Sequence, residues 1–248
     1  MRTLAKLTWV EIKLFIREPI TMVFTFALPL LFLFVMGEVF GNTPDPDGIV
    51  YGGVGPMNYY TPAYIGLVMA SIGMVALPAH LAAYRERGVL RRLRASSLLT
   101  WRVFGSQVIV GFAIAVICAI LLTIVARFAY GIDLPKMPVL TVAAFVTSLL
   151  SFAALGVLLG ALLPTTRAAQ GVGLVLFFVM LILGGARPPR EVMTGIMRPI
   201  GEAMPLWHVI SLLQGPWLGF GWNWTEFIIV AGIMVISALL SLRFFRWE

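Results

Sequence analysis

The sequence predicts an all-α polytopic membrane protein: six transmembrane helices, an N-terminal amphipathic interface helix, and short outer re-entrant helices between spans five and six. Three observations carry that fold class. The 248 residues are 60% hydrophobic and 12% charged, with a mean hydropathy of +0.97, whereas soluble domains are about half apolar and about a quarter charged. Six runs are long enough to cross ~30 Å of hydrocarbon as helices. None of these runs contains Asp, Glu, Lys or Arg. An ordinary soluble enzyme and a disordered chain are thereby excluded. The single cysteine, Cys118, excludes an intrachain disulfide.

Residues 1–248 read as one transmembrane domain. Its N-terminal piece, residues 1–18, has Arg2, Lys6, Lys13 and Arg17 within about a 60° arc at helical spacing. Leu4, Leu7, Leu14 and Phe15 lie opposite, and Glu11 interrupts that apolar face. Such a helix lies in the interface with its cations toward lipid headgroups or a partner. Glu18-Pro19 then ends it and opens span one, Ile20–Gly37. A cleaved signal peptide fits the basic start, but the apolar run is too long and no small-x-small site follows it.

Span two is Tyr59–Tyr84, span three Val103–Ala126 and span four Val139–Leu163. Span five, Ala168–Ala186, is short, and span six, Phe227–Leu242, reaches full length only if it extends back through Trp224. Barrel strands would alternate polar and apolar residues, and these runs do not. Thirteen of the eighteen Lys and Arg residues fall in the N-terminal segment, the loops after spans two and four, and the C-terminus. By the positive-inside rule that side is cytoplasmic, with both termini on it. The net charge of +7 therefore reflects topology rather than nucleic-acid binding. All seven tryptophans lie at span ends or in loops, as an aromatic belt requires.

Two connections stand out. Residues 84–102 hold Tyr84-Arg85-Glu86-Arg87-Gly88-Val89-Leu90-Arg91-Arg92-Leu93-Arg94. On a helical wheel Glu86, Val89, Leu90 and Leu93 share one face, and Arg87, Arg91 and Arg94 another. A short amphipathic helix between two spans can be gripped by a cytoplasmic partner; the bland alternative is a solvated loop that sets orientation. Residues 185–226 contain Pro188, Pro189, Pro199, Pro205 and Pro216. The apolar pieces between them, Glu191–Met197 and Leu206–Leu213, are too short to span and read as helices that dip into the outer leaflet and return. Within span four, Gly156-Val157-Leu158-Leu159-Gly160 is a small-xxx-small pattern that permits close helix packing.

Familiar catalytic chemistry is missing from the sequence. No lysine follows a glycine, so there is no phosphate-cradling Gly-x-x-x-x-Gly-Lys loop. His80 and His208 have no Cys or acid at metal-ligand spacing, and read as an inner-end and an outer interfacial residue. Spans without ionisable residues lack the relays of proton-driven transporters. If the chain moves a substrate uphill, the energy is expected to come from another polypeptide.

Three stretches, taken in order, resemble one family. Phe15-Ile16-Arg17-Glu18-Pro19, followed by a span with Pro29 and then Phe40-Gly41, resembles the start of ABC-2 type permeases, the membrane subunits of one class of ABC exporters. Glu86-Arg87-Gly88-Val89-Leu90-Arg91-Arg92-Leu93 resembles their first cytoplasmic loop. Gly184-Gly185, Pro188-Pro189, Glu191-Val192-Met193 and Met204-Pro205-Leu206 resemble their outer segment between spans five and six. Arg187 and Arg190, which bracket the outer prolines, depart from the apolar or aromatic residues usual there.

The resemblance implies a single permease domain without its own cofactor, with ATP and magnesium on a separate ATP-binding subunit and a second permease copy or paralogue completing a dimer. It assigns ATPase coupling to Tyr84, Arg85, Glu86, Arg87, Gly88, Val89, Leu90, Arg91, Leu93 and Arg94. It gives the interface helix Lys6, Lys13, Arg17 and Glu18, and the outer gate Pro188, Pro189, Glu191 and Pro205. Apolar, uncharged spans suit an amphipathic substrate: a drug, a lipid or a lipid-linked glycan. A secondary transporter or channel acting alone is the alternative.

Overall fold

The computed structural model describes residues 19–44, 50–88, 100–186 and 192–244, with side chains from residue 105 onward in the third helix. Eight helices are described. They are α1 (Pro19–Phe40), α2 (Pro56–Glu86), α3 (Thr100–Tyr130), α4 (Pro138–Leu162), α5 (Thr166–Leu183), α6 (Met197–Glu202), α7 (Pro205–Leu218) and α8 (Trp224–Phe244). Helices α1 to α5 and α8 are long and apolar enough to cross a membrane. They are the six expected spans, with ends moved by four residues at most. Most run past the apolar stretch because a helix continues into the interface after its hydrophobic residues stop; span six does reach back to Trp224. Span five ends early, at Leu183, where Gly184 caps it. No strand occurs among the described residues.

Helix α2 is the axis of the bundle. Its most apolar 18-residue window is entirely buried, whereas the corresponding windows of α1, α3, α4, α5 and α8 are mostly open to the surroundings. The sequence explains how neighbours pack so tightly on it. Helices in lipid gain little from hydrophobic burial against one another, so close backbone approach through small residues carries the association. A Cβ on Gly156 would lie 2.9 Å from Leu77 Cβ, and one on Gly160 would lie 2.8 Å from Leu81 Cβ. The small-xxx-small pattern of span four is therefore the seam along which α4 meets α2. On the other side, Gly173 of α5 faces the Met74 carbonyl of α2. Helix α8 buries Val230, Ser237 and Ser241, and packs mainly on α4.

Helices α1 and α2 each contain one π-helical turn, at Val23–Ala27 and Ile72–Ala76. Both have the same cause. A helical proline lacks an N–H, and its ring collides with the carbonyl four residues earlier. Pro29 and Pro78 point this clash at Thr25 and Met74, the centres of the two π turns. Widening the helix relieves it and leaves carbonyls to be satisfied from outside. Thr25 O accepts from Cys118 Sγ of α3 at 3.7 Å, and the Thr25 hydroxyl meets Ser71 Oγ at 3.0 Å. Ser71 in turn donates to Val68 O at 2.8 Å. The three-helix contact of α1, α2 and α3 is thus polar at its core and apolar around it.

At the end opposite the basic loops, an asparagine chain ties the same helices together. Asn42 Nδ2 donates to Tyr130 O at 3.2 Å, and Asn42 Oδ1 accepts from the Asn58 amide at 3.1 Å. Asn58 Oδ1 accepts from the Asp133 amide at 2.8 Å.

The segment between α5 and α8 differs from expectation in one place. The helix expected at Glu191–Met197 lies instead at Met197–Glu202. Gly195, at φ 59°, takes a left-handed conformation, and Pro199 fits the first turn of the helix that follows. The second expected piece is longer than foreseen: α7 has 14 residues and spans about 21 Å, still too short to cross. It lies against α2 at Gly66, where Leu206, Val209 and Ile210 would touch an added Cβ. Gln214 Nε2 of α7 donates to Tyr59 O of α2 at 3.0 Å.

Candidate functional site

The basic end of α2 holds the best-defined polar site. Helix α4 ends at Leu162, so its last carbonyls have no partner within the helix. Arg85, at the end of α2, supplies donors: Nη2 reaches Gly160 O at 2.6 Å and Ala161 O at 3.3 Å, and Nη1 reaches Leu163 O at 3.1 Å. A guanidinium is planar and multiply donating, so one side chain serves three carbonyls. Its charge also complements the negative end of the α4 dipole.

The next residue does the opposite. Glu86 Oε2 accepts from the Thr166 hydroxyl at 2.6 Å, at the first residue of α5. A carboxylate there complements the positive end of the α5 dipole. Thr165 caps the same helix, its hydroxyl accepting from the Ala168 amide at 3.1 Å. Consecutive residues of α2 thus grip the two sides of the α4–α5 turn, cation on the C-terminal end and anion on the N-terminal end.

Helix α2 stops immediately beyond this clamp. The Arg87 amide donates to Ala83 O at 3.1 Å and the Gly88 amide to Arg85 O at 3.0 Å. Gly88 is left-handed at φ 65°, the usual glycine stop of a helix. A single helix from Tyr84 to Arg94 is therefore corrected. Tyr84, Arg85 and Glu86 are the last residues of a membrane-length helix, Arg87 caps it, and Gly88 turns the chain.

At the opposite end, His208 of α7 stands between two acceptors. Its Nδ1 lies 2.6 Å from Glu226 Oε2 of α8, and its Nε2 lies 2.8 Å from Glu202 O of α6. Each ring nitrogen thus faces an oxygen of a neighbouring helix. One side chain thereby joins α6, α7 and α8. Among the described residues, no cluster of three His, Cys, Asp or Glu could hold a metal ion.

The sequence profile of the ABC-2 type transporter family matches residues 3–216. This chain belongs to that family. Its relatives are membrane permeases by name. It is 25% identical over 198 residues to the inner membrane transport permease YhhJ of Escherichia coli strain K12, covering 73% of this chain and 52% of that one. It is 26% identical over 250 residues to the putative transport permease YvfS of Bacillus subtilis strain 168, covering 97% and 96% of the two chains. It is 26% identical over 149 residues to the probable multidrug ABC transporter permease YbhR of Escherichia coli strain K12, covering 60% and 38%. The chain thus spans about half the length of YhhJ and nearly all of YvfS.

Of the site residues assigned from the ABC-2 resemblance, the structure brings Tyr84, Arg85, Glu86, Arg87 and Gly88 to one place, the basic end of α2. Pro205 opens α7, and Gly184 lies against Leu206 beside it. Val89, Leu90, Arg91, Leu93 and Arg94 lie outside the described residues. So do Lys6, Lys13, Arg17 and Glu18 of the interface helix, and Pro188, Pro189 and Glu191 of the outer gate, along with Arg187 and Arg190. Sequence reading missed Thr166, the partner of Glu86, and the pairing of His208 with Glu226. The only signal for the first was a Thr-Thr pair at the start of span five, where a helix cap is expected. The second joins residues 18 apart in sequence and has no local signature.

Proposed function

We propose that this chain is the membrane-spanning subunit of an ATP-driven ABC exporter that moves an amphipathic substrate, a drug, a lipid or a lipid-linked glycan, out of the cytoplasm. The observation that carries the reading is the ABC-2 family match over residues 3–216, together with the Arg85–Glu86 clamp at the end of the most buried helix. ATP and magnesium bind a separate subunit, and a second permease copy or paralogue completes a dimer in the inner or plasma membrane. Both termini face the cytoplasm, which places the clamp on the side of the ATPase. The relative named as a multidrug permease supports the choice of substrate class.

Mechanically, closure of the ATPase dimer pushes on residues 84–94. The push enters α2, and the clamp transmits it to the α4–α5 turn. Spans one, two and five shift as a rigid group and open a path between protomers, so nucleotide selects between two states of one bundle. Residues 1–18 form the interface helix on the ATPase. The region 185–226, with α6 and α7, re-enters the outer leaflet and closes the exit.

Proteoliposomes test the proposal. Co-reconstituted permease and cognate ATPase are expected to move a fluorescent amphiphile only with ATP. Charge reversal at Arg87 and Arg91 is expected to reduce transport at least tenfold while leaving the permease folded. Equal movement without the ATPase would replace the proposal with a stand-alone transporter or channel.

A further inference from the structure

The end of the bundle opposite the basic loops contains a cavity of about 450 Å³ that the coupling mechanism does not use. Its walls come from four places: Tyr51 and Tyr59 before and within the start of α2, Gln214 and its neighbours on α7, Phe220 and Trp222 after α7, and Trp224 and Glu226 at the start of α8. The tyrosine wall is ordered by a ring contact of 5.6 Å between Tyr51 and Tyr59. The tryptophan wall is ordered by a contact of 6.2 Å between Trp222 and Trp224. Gly52 closes one side against Phe220, whose ring an added Cβ would meet at 3.3 Å. Trp224, 68% exposed, forms the rim.

Glu226 is the only charged side chain among the lining residues. It is held rigidly: its amide donates to Asn223 Oδ1 at 3.2 Å, and its Oε2 faces His208. Lys136 packs its stem against Gly219 and does not line the cavity. Aromatic faces on two sides with one carboxylate form a surface that attracts a cation too weakly hydrated to prefer water. A small metal ion is held best by several charged oxygen ligands, and Glu226 is the single carboxylate among the lining residues. An organic ammonium offers the matching chemistry, with a charge for the carboxylate and methyl groups for the rings.

We infer that this cavity binds a quaternary ammonium group, as carried by a choline-type headgroup or by a free organic cation. The site is separate from the proposed transport coupling and is measured on this chain alone. Calorimetry on the full chain in phosphatidylglycerol nanodiscs, with empty nanodiscs as reference, compares choline with its uncharged tert-butyl isostere. Choline is expected to bind at least about tenfold tighter. Glu226→Gln, which keeps the shape and an acceptor for His208, and Trp224→Leu at the exposed rim are each expected to bring the two ligands within about twofold. If Trp224→Leu does not fold, the isosteric Glu226→Gln carries the test alone. Repeating the titration in phosphatidylcholine nanodiscs identifies the source. Suppressed choline binding assigns the cavity to a lipid headgroup, and unchanged binding assigns it to a free cation. Equal binding of choline and isostere, a preference that survives both substitutions, or no binding to the chain overturns the inference.

Discussion

Leucine at Gly173 is expected to prevent the bundle from assembling, while leucine at Gly171, one half-turn away on the same helix, leaves it intact. Gly173 faces the Met74 carbonyl, and an added Cβ would also lie 3.1 Å from Met74 C and 3.4 Å from Val75 Cα. All three atoms are backbone and cannot swing aside. At Gly171 nothing lies within 4 Å. Overpacking a tight core costs about 1–3 kcal/mol and more when backbone must move, so Gly173→Leu belongs at the upper end. Thermal unfolding in mild detergent measures it. A loss of folded protein at Gly173 with a near-native midpoint at Gly171 is predicted. Equal melting of the two variants would remove α5 from its place against the π turn of α2.

Arg85→Ala is expected to have the largest functional effect of any single substitution among the described residues. It removes the donors that Gly160, Ala161 and Leu163 receive. Charge-assisted hydrogen bonds contribute about 1.5–3 kcal/mol each when buried. Arg85 is part-exposed, so a combined local loss of about 2 kcal/mol is a fair expectation. That corresponds to amide exchange about 30-fold faster at the α4–α5 turn. ATP-driven transport is expected to fall at least tenfold while the remaining helices keep their protection. Arg85→Lys retains the charge but not the fork, and is expected to restore only part of the loss. Unchanged exchange around residues 163–168 would mean that the clamp does not hold the turn.

Much of this architecture was legible in the sequence because the bilayer imposes a length and a polarity on each crossing. A run without charges between charged ends leaves little choice, and so all six spans were found. The Gly156–Gly160 pattern also named its own purpose, since two glycines a turn apart serve close approach. The stop at Gly88 was legible too, as a glycine after a basic last turn, but a helical wheel drawn straight through it concealed the signal. The π turns were harder. Their cause, Pro29 and Pro78 within spans, was in plain view, yet whether a proline kinks, ends or widens a helix depends on which neighbour satisfies the freed carbonyl. For Thr25 that neighbour is Cys118, 93 residues away. Arg85 hid for a different reason. The resemblance assigned it to coupling and the charge count to the basic loops, and only the fold placed the end of α4 within its reach.

The proposed assembly joins this chain to an ATP-binding subunit at residues 84–94. Affinity purification of the full chain from its native membrane in mild detergent tests it most directly. The predicted result is a stoichiometric partner carrying a Walker phosphate-binding loop, lost when Arg87 and Arg91 are reversed to glutamate. A clean chain without that partner, still moving solute in liposomes, would contradict that assembly and return the arginine-rich loop to a signal of membrane orientation.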